Sequence, residues 1–309
     1  MIRRASPKGD LLRSGEESRR AHRANEQAAE AEATIAVVVI THERLNLIRQ
    51  CVENTLSRVS ASTTEIVLWN NGSADGTREY LDSLTDPRIQ VVHSSDNIGL
   101  DAFAEAVRLT SASHIIELDD DVTGAPAEWD RTLLDAYSRL PNIGYLVADV
   151  EEDDHDPVSL LRHRLRPHQY TELELDGIRL LEGPSGGYCS MTHRELYEEA
   201  GGFPQHPDQA WYQEDAEYIE AIERLGYRSA LLAELRVHHT GGPYYGTMPQ
   251  GKKQYWQDYW KTVRRRNAVK RFLLRLPFVS GLNNRFDWFG PVEWEPPRSS
   301  DARSSPPPQ

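Results

Sequence analysis

Four short β-branched runs, each followed within a few residues by a stretch with helical spacing, dominate the first half of this chain. The runs are Ile35–Ile40, Glu65–Trp69, Ile89–Val92 and His114–Leu118. Between and after them lie Leu45–Leu56, Thr77–Leu84, Leu100–Leu109 and Ala127–Leu140, whose apolar residues recur at helical intervals. Strands separated by helices of this length need crossover connections, which are right-handed and build a mostly parallel sheet flanked by helices. The expected class is α/β and Rossmann-like. The pattern loosens after Asp149, where the chain is acidic and irregular to about Gln169. It resumes with helices at His193–Ala200 and Glu214–Leu225 and a strand-like Arg228–Val237. No internal repeat is visible.

The flanks have a different character. Residues 1–33 are rich in Arg, Glu and Ala with no buried-face pattern, and are expected to form a disordered or loosely helical arm. Residues 34–245 carry the strand–helix alternation, 246–290 read as a basic amphipathic helical extension, and 291–309 as a disordered Pro/Ser-rich tail. The longest strongly apolar run, Ile35–Ile40, is far too short to cross a bilayer. The first thirty residues lack an apolar signal core. Two cysteines, Cys51 and Cys189, cannot build a disulfide framework, so a cytoplasmic location is expected. A formal net charge of -13 argues against nucleic acid as a partner. Yet Lys252 to Arg275 holds nine Lys/Arg and one acid, Asp258, a local sum of +8 that hints at an anionic partner.

In open parallel sheets ligands bind at the carboxyl ends of the strands, and there the chain is polar at every turn. The first strand run ends in Thr41-His42-Glu43-Arg44, and the second in Asn70-Asn71-Gly72-Ser73-Ala74-Asp75-Gly76-Thr77. The third leads to Asp96-Asn97-Ile98-Gly99, and the fourth to Asp119-Asp120-Asp121. Residues two apart on a strand share a face, so Asp119 and Asp121 can converge on a hard divalent cation while Asp120 points elsewhere. An arbitrary acidic triplet is more often a solvated loop, but a β-branched strand running straight into a cleft reverses that preference. Asp119, Asp121, Thr123, Gly124 and Asp130 also sit at EF-hand offsets; that motif needs a helix on both sides, and a strand precedes it here. Gln213-Glu214-Asp215 opens a helix on which Asp215, Tyr218, Ile219 and Ile222 share one face, so Asp215 lies at the inner edge of the first turn. The plainer account is an N-terminal acid favoured by the helix dipole. His239, before Gly241-Gly242, is a candidate third metal ligand beside the carboxylates.

Taken in order, Thr41-x-x-Arg44, Asn71-Gly72-Ser73-x-Asp75-Gly76-Thr77, Asn97-Ile98-Gly99, Leu118-Asp119-Asp120-Asp121, Gly186-Gly187 through Glu199-Ala200-Gly201-Gly202-Phe203, Glu214-Asp215 and His239-x-Gly-Gly resemble the family 2 glycosyltransferases of the GT-A fold. The resemblance spans about Thr34 to Gly242, and an Arg266-Asn267 pair is similar to one that often follows. It implies an inverting enzyme that takes a sugar from a UDP- or dTDP-sugar to a carbohydrate or glycolipid acceptor. Thr41, Arg44 and Asn70 would hold base and ribose, with Asn70 standing where the family usually has Asp. Asn97 and Asp120 would join the donor-binding set, and Gly186 and Gly187 would let backbone approach the donor sugar. Asp121 would be the principal ligand of Mn²⁺ or Mg²⁺, with Asp119 toward ribose and metal and His239 as a further ligand. Asp215 would be the catalytic base, with Glu214 the neighbouring candidate. Two rivals stay open. A sugar-phosphate nucleotidylyltransferase would show a glycine-rich loop after the first strand, which Thr41–Arg44 lacks. A non-catalytic carbohydrate- or nucleotide-binding protein on the same fold is supported by Asn70 alone.

Two further segments are weighed. Trp256, Tyr259, Trp260 and Val263 give the basic extension an amphipathic pattern. Residues 252–276 are therefore expected either to meet anionic lipid at the inner face of the membrane, or to pack on the catalytic domain or a second subunit as a homodimer. His155, His163 and His168 beyond the acidic run match no compact zinc spacing, so a solvated acceptor-side loop is expected there.

Overall fold

The computed structural model describes residues 33–151, 170–207 and 214–240, together with 261, 264–276 and 279. The arm before residue 33, the loop of 152–169 with its three histidines, the aromatic pattern of 256–263 and the tail all lie outside the described residues. The chain divides into two compact units, 1–245 and 246–309.

In the first unit, β1 (Ile35–Thr41), β2 (Thr63–Asn71), β3 (Ile89–Ser94) and β4 (His114–Asp119) are the four expected strands. They pair in parallel in the order β3-β2-β1-β4. The sequence IAVVVIT of β1 is apolar without alternation because a central parallel strand is covered on both faces. Helices α1 (Leu45–Arg58), α2 (Thr77–Asp82), α3 (Asp101–Val107) and α4 (Trp129–Ser138) supply the crossovers. On α1 the residues Leu47, Ile48, Cys51, Val52 and Thr55 form the buried stripe, and the chain breaks to extended backbone at Val59. At the start of α4, the buried Asp130 accepts from Ser60 N–H, the Ser60 hydroxyl and the Thr63 hydroxyl, which ties the α1–β2 turn to the helix.

Past β4 the sheet becomes mixed, which the strand–helix alternation did not anticipate. Strand β5 (Val122–Gly124) follows at once, then β6 (Ile143–Glu151), the hairpin β7 (Thr171–Leu175) and β8 (Ile178–Glu182), and β9 (Cys189–His193). Helices α5 (Arg194–Glu199) and α6 (Glu214–Arg224) and the long β10 (Arg228–His239) complete the unit. Among the described residues the sheet runs β3-β2-β1-β4-β9-β6-β10-β8-β7, and β5 pairs β10. Strand β9 enters antiparallel between β4 and β6. The buried core runs along both faces and includes Trp129, Tyr145, Tyr218, Leu47 and Ile116. In the second unit, residues 264–274 are helical (α7). Among the described residues, no helix is long and apolar enough to cross a membrane.

Candidate active site

The loops at the ends of β1, β2 and β3 are stitched together by side chains. Asn71 Nδ2 donates to Asn97 Oδ1 (2.9 Å) and to the Gly99 carbonyl (2.9 Å), while its Oδ1 accepts from Ile98 N–H (3.0 Å). Gly72 has φ +76, and a Cβ there would stand 2.9 Å from the Asp96 carbonyl carbon, so the two loops can pack this closely only with glycine. Glu43 is held at φ 55. Its N–H donates to Ser73 Oγ and its carboxylate accepts from Ala74 N–H, locking the β1 loop onto the β2 loop. A non-glycine residue kept in the left-handed region by its surroundings is characteristic of a ligand rim.

The acidic triplet divides as the alternation requires. The Asp120 carboxylate is buried and accepts from the Thr41 hydroxyl (2.7 Å) and Arg44 Nη1 (2.8 Å). Arg44 Nη1 also reaches Asp121 Oδ2 at 3.2 Å. On the other face His239 Nε2 lies 2.9 Å from Asp121 Oδ1 and 3.4 Å from Asp119 Oδ2. One ligand atom from each of Asp119, Asp121 and His239 falls within 4.8 Å of the others. Strand β10 brings the histidine there. It pairs antiparallel with β5, His238 opposite Gly124 and His239 opposite Val122, with a register shift between the two. Such a bulge re-aims a side chain, and here it turns the ring onto the triplet. Thr240 N–H donates to the Asp121 carbonyl and fixes the same junction. Burial opposes charge on His239, but the Asp121 and Asp119 carboxylates outweigh it and raise the imidazole to about 10. The proton stands where a cation would, and two carboxylate oxygens with one imidazole nitrogen suit a divalent metal such as Mn²⁺.

Beside this cluster, half-buried Asp215 sits at the first turn of α6. Its Oδ2 accepts from Gly187 N–H (3.0 Å) and its Oδ1 from Ala216 N–H (2.7 Å). The next residue, Tyr188, accepts at its carbonyl from Asp119 N–H (2.9 Å), so one short segment carries both the base candidate and a metal-site strand. Burial raises the Asp215 carboxyl, and the two N–H donors pull it back down. Its neighbour Glu214 is buried, and burial together with the nearby Asp215 and Glu117 carboxyls pushes it well above the usual range. Asp215 accepts from the Gly187 and Ala216 amides, and both bonds favour its charged form. Cys51 and Cys189 are buried free thiols, and burial raises both, which removes them as nucleophiles.

The family model described as glycosyl transferase family 2 matches residues 36–201, more than half of the chain and all of the strand ends above except the α6 and β10 contributions. The chain belongs to that family. Among solved structures, this glycosyltransferase is similar to GalNAc-T7 with UDP, GalNAc and Mn²⁺ (TM-score 0.51, 19% identity, 67% of this chain and 44% of that one). It is equally similar to a mycobacterial protein (TM-score 0.51, 18% identity, 72% of each chain). These likenesses establish the GT-A fold. A curated relative, the uncharacterized protein y4gI of Sinorhizobium fredii, is 22% identical over 261 residues. That match takes in 74% of this chain but only 28% of the relative, and the GalNAc-T7 match likewise spans less than half of its partner.

In the family 2 domain the sequence-assigned residues fall into two groups. Asp119, Asp121 and His239 converge, and Gly187 N–H bonds the Asp215 carboxylate with Glu214 buried next to it in sequence. Thr41 and Arg44 bond Asp120, while Asn97 accepts from Asn71 and Asn70 from Ser73. Asn70, expected to meet the base, is fully buried: its Oδ1 accepts from Ser73 N–H and its Nδ2 donates to His93 Nδ1. His93 Nε2 in turn contacts Asp82 at 2.9 Å. In this arrangement Asn70 shapes the β2 loop. Sequence reasoning overlooked Glu117, Tyr145 and Tyr188. An acid inside the β-branched run His114–Leu118, in phase with Asp119, was the available signal for the first of them.

Proposed function

We propose that this family 2 enzyme transfers a sugar from a UDP- or dTDP-sugar to an acceptor hydroxyl with inversion, using Mn²⁺ or Mg²⁺ held by Asp119, Asp121 and His239. The carrying observation is that these three ligand groups, from β4, its following loop and β10, come within 4.8 Å of one another. UDP and Mn²⁺ in the similarly folded GalNAc-T7 support the reading. An ion held by Asp119, Asp121 and His239 would supply positive charge to the departing diphosphate. Asp215 takes the proton of the acceptor hydroxyl as its oxygen bonds to the anomeric carbon from the face opposite the diphosphate. The carbon–oxygen bond to the diphosphate breaks with its electron pair leaving on the nucleotide. Gly187 N–H holds the base in place, and Arg44 keeps Asp120 and Asp121 together at the rim. Metal-dependent turnover of a panel of UDP- and dTDP-sugars tests this. No turnover of any member with Mn²⁺ or Mg²⁺ would remove it.

A pH dependence follows from the raised His239. Ligation needs the neutral imidazole, so metal binding displaces its proton. Apparent Mn²⁺ affinity is expected to rise about tenfold per pH unit between roughly pH 7 and 9, since one proton is released per ion. Calorimetric titration across that range checks the slope, and a flat response would exclude His239 as a ligand.

We further assign the basic extension to an anionic membrane surface. On α7 the side chains of Val269 and Phe272 are 60% and 64% exposed, and Leu276 just past the helix is 43% exposed, within a stretch dominated by Lys and Arg. Co-sedimentation with vesicles containing phosphatidylserine is expected, and it should weaken several-fold in Phe272→Glu. Equal binding to neutral vesicles would contradict the assignment.

A further inference from the structure

Behind the proposed base lies a buried acid that the reaction does not use directly. Glu117 is 2% exposed on β4, in phase with Asp119, and its Oε2 accepts from the Tyr145 hydroxyl on β6 at 2.6 Å. Its register partner on β9 is Ser190, also buried. The Ser190 hydroxyl is the other group close enough to interact with the Glu117 carboxyl. A buried acid in such a position needs an explanation, because an apolar residue would fill a core strand at lower cost.

The explanation lies at Gly187. A Cβ on that residue would stand 2.4 Å from Glu117 Oε1 and 2.6 Å from its Cδ. The Glu117 carboxyl therefore occupies the place a side chain at 187 would take. The N–H of the same residue donates to Asp215 Oδ2 at 3.0 Å. Tyr145 braces the stack. It holds Glu117 through its hydroxyl and packs its ring edge-on to Tyr218 of α6 at 5.6 Å, one turn from Asp215.

We propose that Glu117 is a positioning residue for Asp215, acting through the Gly187 peptide it supports. The proposal rests on the reading of Asp215 as the base. It explains why an acid stands in a core strand and why residue 187 has no side chain. Glutamine at 117 keeps the volume and an acceptor for Tyr145, whereas alanine removes the support.

The test is chosen so that the two readings fail separately. The amide resonance of Gly187 is followed by NMR in the full-length protein, in wild type, Glu117→Gln, Glu117→Ala and Asp215→Ala. Alongside, kcat and KM are measured with the panel sugar that turns over fastest. Glu117→Ala is expected to move the Gly187 amide at least half as far as Asp215→Ala moves it. It should lower kcat about tenfold or more with donor KM within about twofold, because a slightly misplaced base costs rate and not binding. Glu117→Gln should restore both readouts. A Gly187 amide unmoved in Glu117→Ala, or a lowered melting temperature with kcat per folded molecule unchanged, overturns the proposal. If Glu117→Ala does not fold, Tyr145→Phe removes one hydroxyl and should shift the same amide in the same direction; no shift overturns it equally. Full turnover by Asp215→Asn would instead strike the base assignment, while the amide still reports whether Glu117 sets the peptide.

Discussion

Asp121→Ala is expected to lower metal-dependent turnover by about a thousandfold, the scale on which charge stabilisation at a departing group operates. The Asp121 side chain is 1% exposed and serves two partners, His239 through Oδ1 and Arg44 through Oδ2. Its loss removes one of three ligands and leaves His239 with only the more distant Asp119 at 3.4 Å. Mn²⁺ affinity should fall in parallel, by about a hundredfold, so raising the metal concentration should recover part of the rate. A circular dichroism spectrum matching wild type separates this loss from unfolding. Turnover within threefold of wild type at limiting Mn²⁺ would mean that the triplet does not hold the ion.

Asp215→Asn should cost about a thousandfold in kcat with donor KM little changed, since a general base is worth roughly 10²–10⁴ and does not bind the donor. Each carboxylate oxygen accepts from one amide, Oδ2 from Gly187 and Oδ1 from Ala216, so asparagine keeps only one of these bonds, and an unchanged melting temperature separates loss of the base from loss of the fold. Glu214→Gln should lose far less, because Glu214 is buried and its carboxyl is raised well above the usual range, which disfavours the charged form a base needs. The pH profile carries the sign of the same assignment. Burial raises the Asp215 carboxyl, and the base must be ionised to accept a proton. Turnover in wild type therefore climbs as pH rises through that raised value, and the limb should vanish in Asp215→Asn. Equal loss in the two variants, or a retained acid limb, would transfer the role elsewhere.

How much of this was legible beforehand depended on which physical signal each part carries. Strands β1 to β4 and helices α1 to α4 announced themselves, because parallel strands covered on both faces read as unbroken β-branched runs. The polar strand ends then marked the rim, and the Asp119–Asp121 phase followed from the two-residue repeat. Strands β5 and β9 were invisible for the converse reason. Val122–Gly124 is three residues long, and Cys-Ser-Met-Thr-His owes its place in the sheet to its neighbours β4 and β6 and not to its own propensity. Asn70 and Asn97 were assigned to the donor by motif, but motif order does not say which way an amide faces. In the structure Asn70 Oδ1 accepts from Ser73 N–H within the β2 loop, and Asn97 Oδ1 accepts from Asn71 across to the next loop. Glu117 was passed over because a single charged residue in an apolar run looks like noise until the neighbour it supports is known.

The proposed ion-binding histidine, His239, arrives from β10, 118 residues after Asp121, through a pairing with β5 that no local signal encodes. A nascent chain emerging from the ribosome holds both carboxylates long before it holds their third partner. Until β10 has been synthesised and has paired with β5, the proposed metal site holds two of its three ligands. On the proposed mechanism, a protein truncated before His239 would lack the third ligand however well its first half had folded.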